Sequence, residues 1–531
     1  MTTVAERYPY STRKLPVHAD NAVATSQPLA AQAGLDMLRR GGNAVDAALA
    51  TAITLTVVEP TMNGIGGDMY AMVWANGALH ALDSTGRAPA SWRFDHFAQR
   101  SAMPKTGWDT VTVPGQVAGW KALSERFGRL PFRMLFGPAI HYANEGYPVS
   151  PRIAEHWAMF ASLVADQPGF ASTFLPDGRP PKAGERWRCK AMGATLDLIA
   201  RTGGEAFYRG ELAERIAAFA RTSGGQLTAA DLASHCAEWV EPISRRYRGL
   251  TLHEMPPNNQ GIAALIALGI LEHFELPFHA IDGADYYHLH AEAMKLAFAD
   301  LYAHVGDAAH MNMTAADLLD DDYLRRRAAS INLRRASFPA AGTPKAGGTV
   351  YLSAADREGM MVSFIQSNYF AFGSGIVVPG TGISLHNRGS NFNVIRGHCN
   401  AVGPGKKPLH TIMPGFVTST NGAPVMSFGV MGGFMQAQGH VQMMTRLADF
   451  GQDPQAMIDA PRLMVASDSG IVNLERSVPQ AVAQELSKRG HVIDVLDWGH
   501  PHFGSAQAIV RSESGYVAAS DGRRDGQAVG F

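Results

Sequence analysis

Gly347-Gly348-Thr349-Val350-Tyr351-Leu352-Ser353 is the stretch on which the reading of the chain turns. A hydroxyl side chain stands behind a glycine pair, at the head of a run whose β-branched and aromatic residues read as a strand. Ahead of it, residues 337–348 form a soft stretch rich in Ala, Gly and Pro. A hydroxyl nucleophile at such a junction suggests an enzyme made by breaking its own backbone. If the bond between Gly348 and Thr349 is cut, Thr349 gains a free amine beside its hydroxyl. That pairs a nucleophile with a built-in base.

Working outward, residues 349–355 and 360–367 are strand-like and are joined by Asp356-Arg357-Glu358-Gly359, a good hairpin turn. A turn centred between Arg357 and Glu358 sets Thr349 opposite Gln366, with Ser367 one step away. A second hydroxyl is thereby delivered beside the first. Further on, Gly429-Val430-Met431-Gly432-Gly433 precedes a helix expected over 436–450. A glycine pair in that position either makes a turn or offers backbone N–H groups to a developing oxyanion.

Upstream, residues 28–40 carry Ala31, Leu35 and Leu38 at helical spacing. Gly41 and Gly42 end that helix, and Asn43 caps a second one running toward residue 58. The cluster Asn63-Gly64-Ile65-Gly66-Gly67-Asp68 lacks both the dinucleotide glycine spacing and the lysine of a phosphate loop. It reads as a tight entry into strands over 69–75 and 78–84, where bare backbone packs closely. Residues 132–305 read as mostly helical, most clearly at 285–302. His288 and His290 lie two apart in that helix and do not face each other, so they do not share a metal. His500 and His502 flank Pro501, near Asp497, in an expected loop.

The 531 residues can bury a large core. Lys plus Arg number 46 against 47 Asp plus Glu, so net charge supplies no attraction for nucleic acid or an anionic membrane. The polar N-terminus lacks the apolar core of a secretory signal, and the apolar run 47–58 is too short to span a bilayer. Three widely spaced cysteines, Cys189, Cys236 and Cys399, indicate neither a disulfide framework nor a zinc site. The expectation is a cytoplasmic protein without cofactor or metal, acting on a small molecule.

These residues resemble the γ-glutamyltranspeptidase family of N-terminal nucleophile hydrolases. Early elements of the likeness are Asn43-Ala44-Val45-Asp46-Ala47-Ala48, the turn from Gly64 to Asp68, and Val113-Pro114-Gly115 leading to Gly119. Phe207-Tyr208-Arg209-Gly210, Leu227-Thr228 with Asp231-Leu232, Tyr247-Arg248-Gly249 and Met255-Pro256-Pro257 follow. Glu292-Ala293 with Phe298-Ala299-Asp300, then Thr349, Phe372-Gly373-Ser374-Gly375-Ile376 and Gly432-Gly433 complete it, in the family's order and from about residue 20 to 525.

The resemblance implies an α/β, four-layer αββα sandwich forming one structural domain. It also implies a precursor that cuts itself into a helix-rich large subunit, 1–348, and a small catalytic subunit, 349–531. Thr349 would attack an amide carbonyl, Ser367 would stand where the family commonly has a second threonine, and the amides of Gly432 and Gly433 would form the oxyanion hole. The substrate implied is a γ-glutamyl amide such as glutathione, with hydrolysis or transfer to an amine.

Several positions depart from the family. Its carboxylate-binding arginine falls at Thr85, leaving Arg87, directly before Ala88-Pro89, either as a shifted substitute or as a structural ion pair. Tyr369 replaces an asparagine, Asn387-Arg388 an Asn-Gln or Asn-Glu pair, Asn391 the amine-binding aspartate, and His410-Thr411 a serine pair. Arg388 would repel a substrate ammonium and Asn391 would not attract one. The stretch 391–410 is short, implying a reduced lid. A related amidohydrolase acting on oxamate or on a bulkier acyl group, as cephalosporin acylases do, is therefore the alternative. A non-catalytic scaffold that leaves Thr349 internal is the remaining one.

Overall fold

The computed structural model describes residues 14–337, 348–467 and 469–531. Most of the soft stretch ahead of Thr349, residues 338–347, lies outside them, as do residues 1–13. Two antiparallel seven-stranded sheets face each other. The first runs Gln527–Gly530, Ala22–Thr25, Gly348–Ala355, Met361–Tyr369, Asp68–Ala75, Ala78–Ser84, Glu238–Val240. The second runs Val17–Ala19, Gly515–Ser520, Ser505–Ser512, Pro424–Met431, Gly415–Ser419, Leu250–Glu254, Ile243–Tyr247. Helices cover both outer faces, giving the αββα order.

Each layer follows from its residues. Asn43 closes a capping box with Asp46 and starts the helix Ala44–Val58, as its sequence indicates. Every residue of that helix is buried. It is roofed on one side by Pro28–Arg39 and rests on the two central strands of the first sheet. On the opposite face Gly261–Leu271 and Met435–Ala448 pack against the second sheet, and Ala284–His304 packs on those two helices. Between the sheets lie Tyr70, Met72, Tyr351, Ile365, Phe416 and Ile509, all buried, where inward-facing residues of both sheets interdigitate.

The glycines of the 63–68 cluster work as a close-packed strand entry. A Cβ on Gly64 would lie 2.1 Å from Ser384 Oγ, one on Gly66 2.5 Å from the Ser384 carbonyl oxygen, and one on Gly67 2.6 Å from Gln116 Oε1. Strands interrupt the middle region expected to be helical: the short pair Tyr147–Pro148 and Arg186–Trp187, then Glu238–Val240, and the hairpin Ile243–Tyr247 and Leu250–Glu254. The hairpin's pattern is masked at the sheet edge, where Ser244 and Arg246 point to solvent and the arginines read as helix surface.

Candidate active site

The hairpin forms, with its register one residue from the expected one. Val350 pairs with Gln366 and Ser353 with Ser363, so Thr349 comes level with Ser367 rather than Gln366. The turn accounts for the shift: Asp356 Oδ1 accepts from the amides of both Glu358 and Met360, and Gly359 at φ 94° closes the loop before Met361. A bulge between Gly348 and Val350 then pairs Gly348 with Tyr369, frees the ladder at Thr349 and aims its side chain inward.

Thr349 is 1% exposed. Its Oγ1 donates to Ser367 Oγ at 3.4 Å, long for a hydroxyl pair, and accepts from Gln436 Nε2 at 3.3 Å. Ser367 Oγ also accepts from the Tyr369 amide at 2.6 Å. Gln436 was not a sequence candidate. It sits in the first turn of Met435–Ala448, its Oε1 accepting from the Met413 amide at 3.0 Å, which orients its Nε2 toward the nucleophile. The only hint in the sequence is its place three residues past the glycine pair.

Gly432 and Gly433 lie between the strand Pro424–Met431 and that helix, at φ 121° and 63°, backbone that L side chains rarely adopt. Neither amide has a hydrogen-bond acceptor among the described residues. Gly432 lines the same cavity as Thr349. Ties between the sheets hold the two together. Ser353 Oγ donates to the Ser427 carbonyl at 3.2 Å, Ser363 Oγ to the Phe428 carbonyl at 3.3 Å, and the Tyr351 ring lies where Gly429 has no side chain.

The cavity holds about 1090 Å³. Apolar side chains dominate it, including Met62, Phe160, Phe370, Phe392, Phe434 and Trp498. Of the expected substrate contacts, Tyr369 and Asn391 line it. Burial of Asn391 Nδ2 leaves that donor without a partner among the described residues. The short stretch read as leaving an absent or reduced lid supplies part of the wall, through Phe392, Asn393, Val394 and Ile395.

Arg388, His410 and Thr411 stand behind that wall. Arg388 is fully buried, with its Cζ 4.6 Å from the centre of the Tyr369 ring and its Nη1 donating to Thr411 Oγ1 at 2.8 Å. Its Nε lies 3.9 Å from Asp68 Oδ2, which His410 Nε2 also meets at 3.3 Å. Burial lowers the Arg388 guanidinium to about 10, Asp68 opposing, and brings His410 down to about 3, the Arg388 charge adding to the effect. His410 is therefore neutral at neutral pH. Burial would raise the Asp68 carboxyl, but His386, His410 and Arg388 outweigh it and hold it well below the usual range. Asp68, read from sequence only as part of a turn, is the anion that locks this group. It also caps the Gly86 and Gly115 amides at 3.2 and 3.1 Å.

Arg87 is half exposed and spans Asp307 and Glu238, each at 3.5 Å, outside the cavity. The ion-pair alternative describes it. Thr85 Oγ1 donates to Asp83 Oδ1 at 2.7 Å, also away from the lining.

His288, Glu292 and His491 approach one another with metal-ligand spacing. Lys295 Nζ already serves the group, donating to Glu292 at 2.9 Å and to His491 Nδ1 at 3.2 Å. His491 Nε2 meets His288 Nδ1 at 2.8 Å, and His288 Nε2 reaches the Asn332 carbonyl at 2.8 Å. An ammonium closes this relay, which leaves no donor set shaped for a cation. His500 and His502 meet edge to face with ring centres 4.5 Å apart and line the cavity.

An αββα sandwich with a strand-borne hydroxyl at its centre, facing a second hydroxyl and a glycine-pair turn, has the fold of the N-terminal nucleophile hydrolases. A family model described as Gamma-glutamyltranspeptidase matches residues 30–531, and the chain belongs to that family of hydrolases and transferases. The glutathione hydrolase-like YwrD proenzyme of Bacillus subtilis is 36% identical over 511 residues, covering 95% of this chain and 97% of that protein. The oxamate amidohydrolase proenzyme of Klebsiella pneumoniae is 36% identical over 515 residues, with the same coverage of both. A crystal structure of a cephalosporin acylase from Bacillus halodurans matches with a TM-score of 0.95 at 48% identity, over 100% of this chain and 99% of that one. Among the described residues no helix is long and apolar enough to cross a membrane.

Proposed function

We propose that the chain is a self-processing amidase that cuts itself between Gly348 and Thr349 and then cleaves amides carrying a bulky, largely apolar acyl group. The carrying observation is the cavity of about 1090 Å³ in front of Thr349, walled by methionines and aromatics. A γ-glutamyl group carries an ammonium and a carboxylate, and the expected partners Arg87, Arg388 and His410 do not line that cavity. The likeness to a cephalosporin acylase points the same way.

In this reading the new Thr349 amine, with a reference pKa near 8, takes the proton of its own hydroxyl as Oγ1 attacks the carbonyl carbon. Gln436 and Ser367 hold Oγ1 in line. The Gly432 and Gly433 amides donate to the oxyanion, worth about 3 kcal/mol for each donor in comparable sites. The amine returns the proton to the leaving nitrogen, giving an ester on Thr349, and water or an acceptor amine releases the acyl group. Residues 1–348 and 349–531 remain one folded body throughout. Glutathione-type cleavage stands as the second reading, favoured by the likeness to a glutathione hydrolase-like proenzyme.

The test joins a denaturing gel with a substrate panel. Wild-type protein is expected to run as two bands with a threonine amine at the start of the smaller, and Thr349→Ala as one band without activity. Efficient cleavage of that variant would overturn the assignment. Turnover of γ-glutamyl-p-nitroanilide or oxamate above that of longer acyl anilides would reverse the order of the two substrate readings.

A further inference from the structure

Arg523 and Arg524 are adjacent in sequence, both buried, and differently supplied. Arg523 is saturated: Nε and Nη2 donate to Glu475 at 2.6 Å each, and Nη1 to Asp521 at 3.1 Å. Asp521 is spent there and on Arg462, at 2.6 Å. Arg524 has no carboxylate within 4.0 Å among the described residues. Its Nη1 donates to two backbone carbonyls, Arg523 at 2.9 Å and Gly499 at 3.4 Å, while Nε has no partner. It is 7% exposed and forms part of the wall of the cavity that contains Thr349.

We infer that Arg524 is a recognition site for a carboxylate carried by the substrate. This rests on the amidase reading and adds to it a charge on a mainly apolar substrate. Arginine has five N–H donors, and the edge bearing Nε and Nη2 matches the two oxygens of a carboxylate side-on. That edge is the one the protein leaves unused. Neighbouring acids do not supply the missing charge. Glu155 is held by Arg152 at 2.7 Å and Asp497 by Arg476 at 2.6 Å. Glu59, buried on Ser26, is kept as its neutral acid up to about pH 8 by desolvation. Asp521, Glu59 and Glu155 act on Arg524 only from beyond ion-pair distance, and burial still lowers its guanidinium; a ligand carboxylate in direct contact would offset that cost. Of the other charged residues that line the cavity, Arg152 is paired with Glu155 and Asp497 with Arg476, and Lys105 is the second cation there; a mainly apolar cavity with a few placed charged groups is the usual form of a small-molecule site.

The experiment measures binding apart from turnover. Glutarate binding to the processed enzyme is followed by calorimetry for wild type, Arg524→Gln and Arg524→Lys. Loss of at least tenfold in affinity in Arg524→Gln, partly recovered in Arg524→Lys, is expected. Equal affinity in all three overturns the inference. Two anilide substrates of equal length then locate the carboxylate. Arg524→Gln should raise KM about tenfold for glutaryl-p-nitroanilide and leave KM for pentanoyl-p-nitroanilide within twofold. Pentanoyl-4-aminobenzoate, with its carboxylate on the leaving amine, tests the other side of the scissile bond. If KM rises equally for the uncharged anilide, Arg524 merely supports the Gly499 loop and the inference fails. If no anilide is turned over while glutarate still binds through Arg524, it is the amidase reading that fails.

Discussion

At the scale of single residues, the Thr349 hydroxyl, the proposed nucleophile, has neighbours that differ in how readable they are. Ser367 Oγ receives both the Tyr369 amide and the Thr349 hydroxyl. Ser367→Ala would remove that acceptor and leave a buried N–H unpaired, at about 1–3 kcal/mol. If the nucleophile's alignment is what suffers, kcat should fall about tenfold to a hundredfold with KM little changed, and Ser367→Thr should retain most of the rate. Steady-state kinetics on the three proteins checks this, and an unchanged kcat in Ser367→Ala would remove Ser367 from the machinery. Thr349, Ser367 and the glycine pair were legible because each sits at a change of local pattern, from glycine to strand or from glycine to helix. Gln436 and Arg524 were not, because a glutamine inside a helix and one arginine of a pair near the C-terminus look like ordinary surface. Arg388 and His410 were legible as departures but not as buried braces, since only the fold brings Asp68 to them.

At the scale of elements, alignment of nucleophile and oxyanion turn is a sheet-to-sheet problem. Tyr351 points from the Thr349 strand into the place a side chain at Gly429 would occupy: a Cβ there would sit 2.4 Å from the ring. The ring cannot swing away easily, because its hydroxyl lies between Ser353 Oγ at 2.7 Å and Ser363 Oγ at 2.8 Å. Gly429→Ala is therefore expected to cost about 1–3 kcal/mol of stability by overpacking. It should also lower kcat by displacing Gly432, three residues on. Thermal melting and kinetics check both; a fully stable, fully active variant would contradict the packing argument. Strands of the central hairpin could be read from sequence because β-branched runs and an Asp-x-x-Gly turn coincide. Its register was missed by one because the side-chain bonds of Asp356 fix the turn, and spacing alone does not reveal them. The edge strand Ile243–Tyr247 and its neighbour Leu250–Glu254 were missed because the half-exposed edge, with Arg245 and Arg246, shares its composition with a helix surface.

For the whole molecule, buried acids set the response to pH. Burial raises Glu59, at the end of Ala44–Val58, from 4.5 to about 8. Between those values the folded state holds a proton that the unfolded state has released, so Glu59 lowers stability as pH rises through that window, and the loss levels off above about 8. The slope is about 1.4 kcal/mol per pH unit. Glu59→Gln should abolish this part of the decline, so its stability relative to wild type should grow from pH 5 to pH 8 in denaturant titrations. A constant difference across that range would mean the acid is not held neutral. The four-layer architecture was legible through the family likeness and the order of strong elements, whereas the pairing of distant strands was not. That pairing has a consequence for manufacture. Both sheets combine stretches from before and after position 349: Gln527–Gly530 lies beside Ala22–Thr25, and Gly515–Ser520 beside Val17–Ala19. Neither portion owns a complete sheet, so each made alone would present raw edges and an uncovered interior. The continuous peptide is thus the assembly jig, and under the proposed self-processing the scission would come only once the weave is finished.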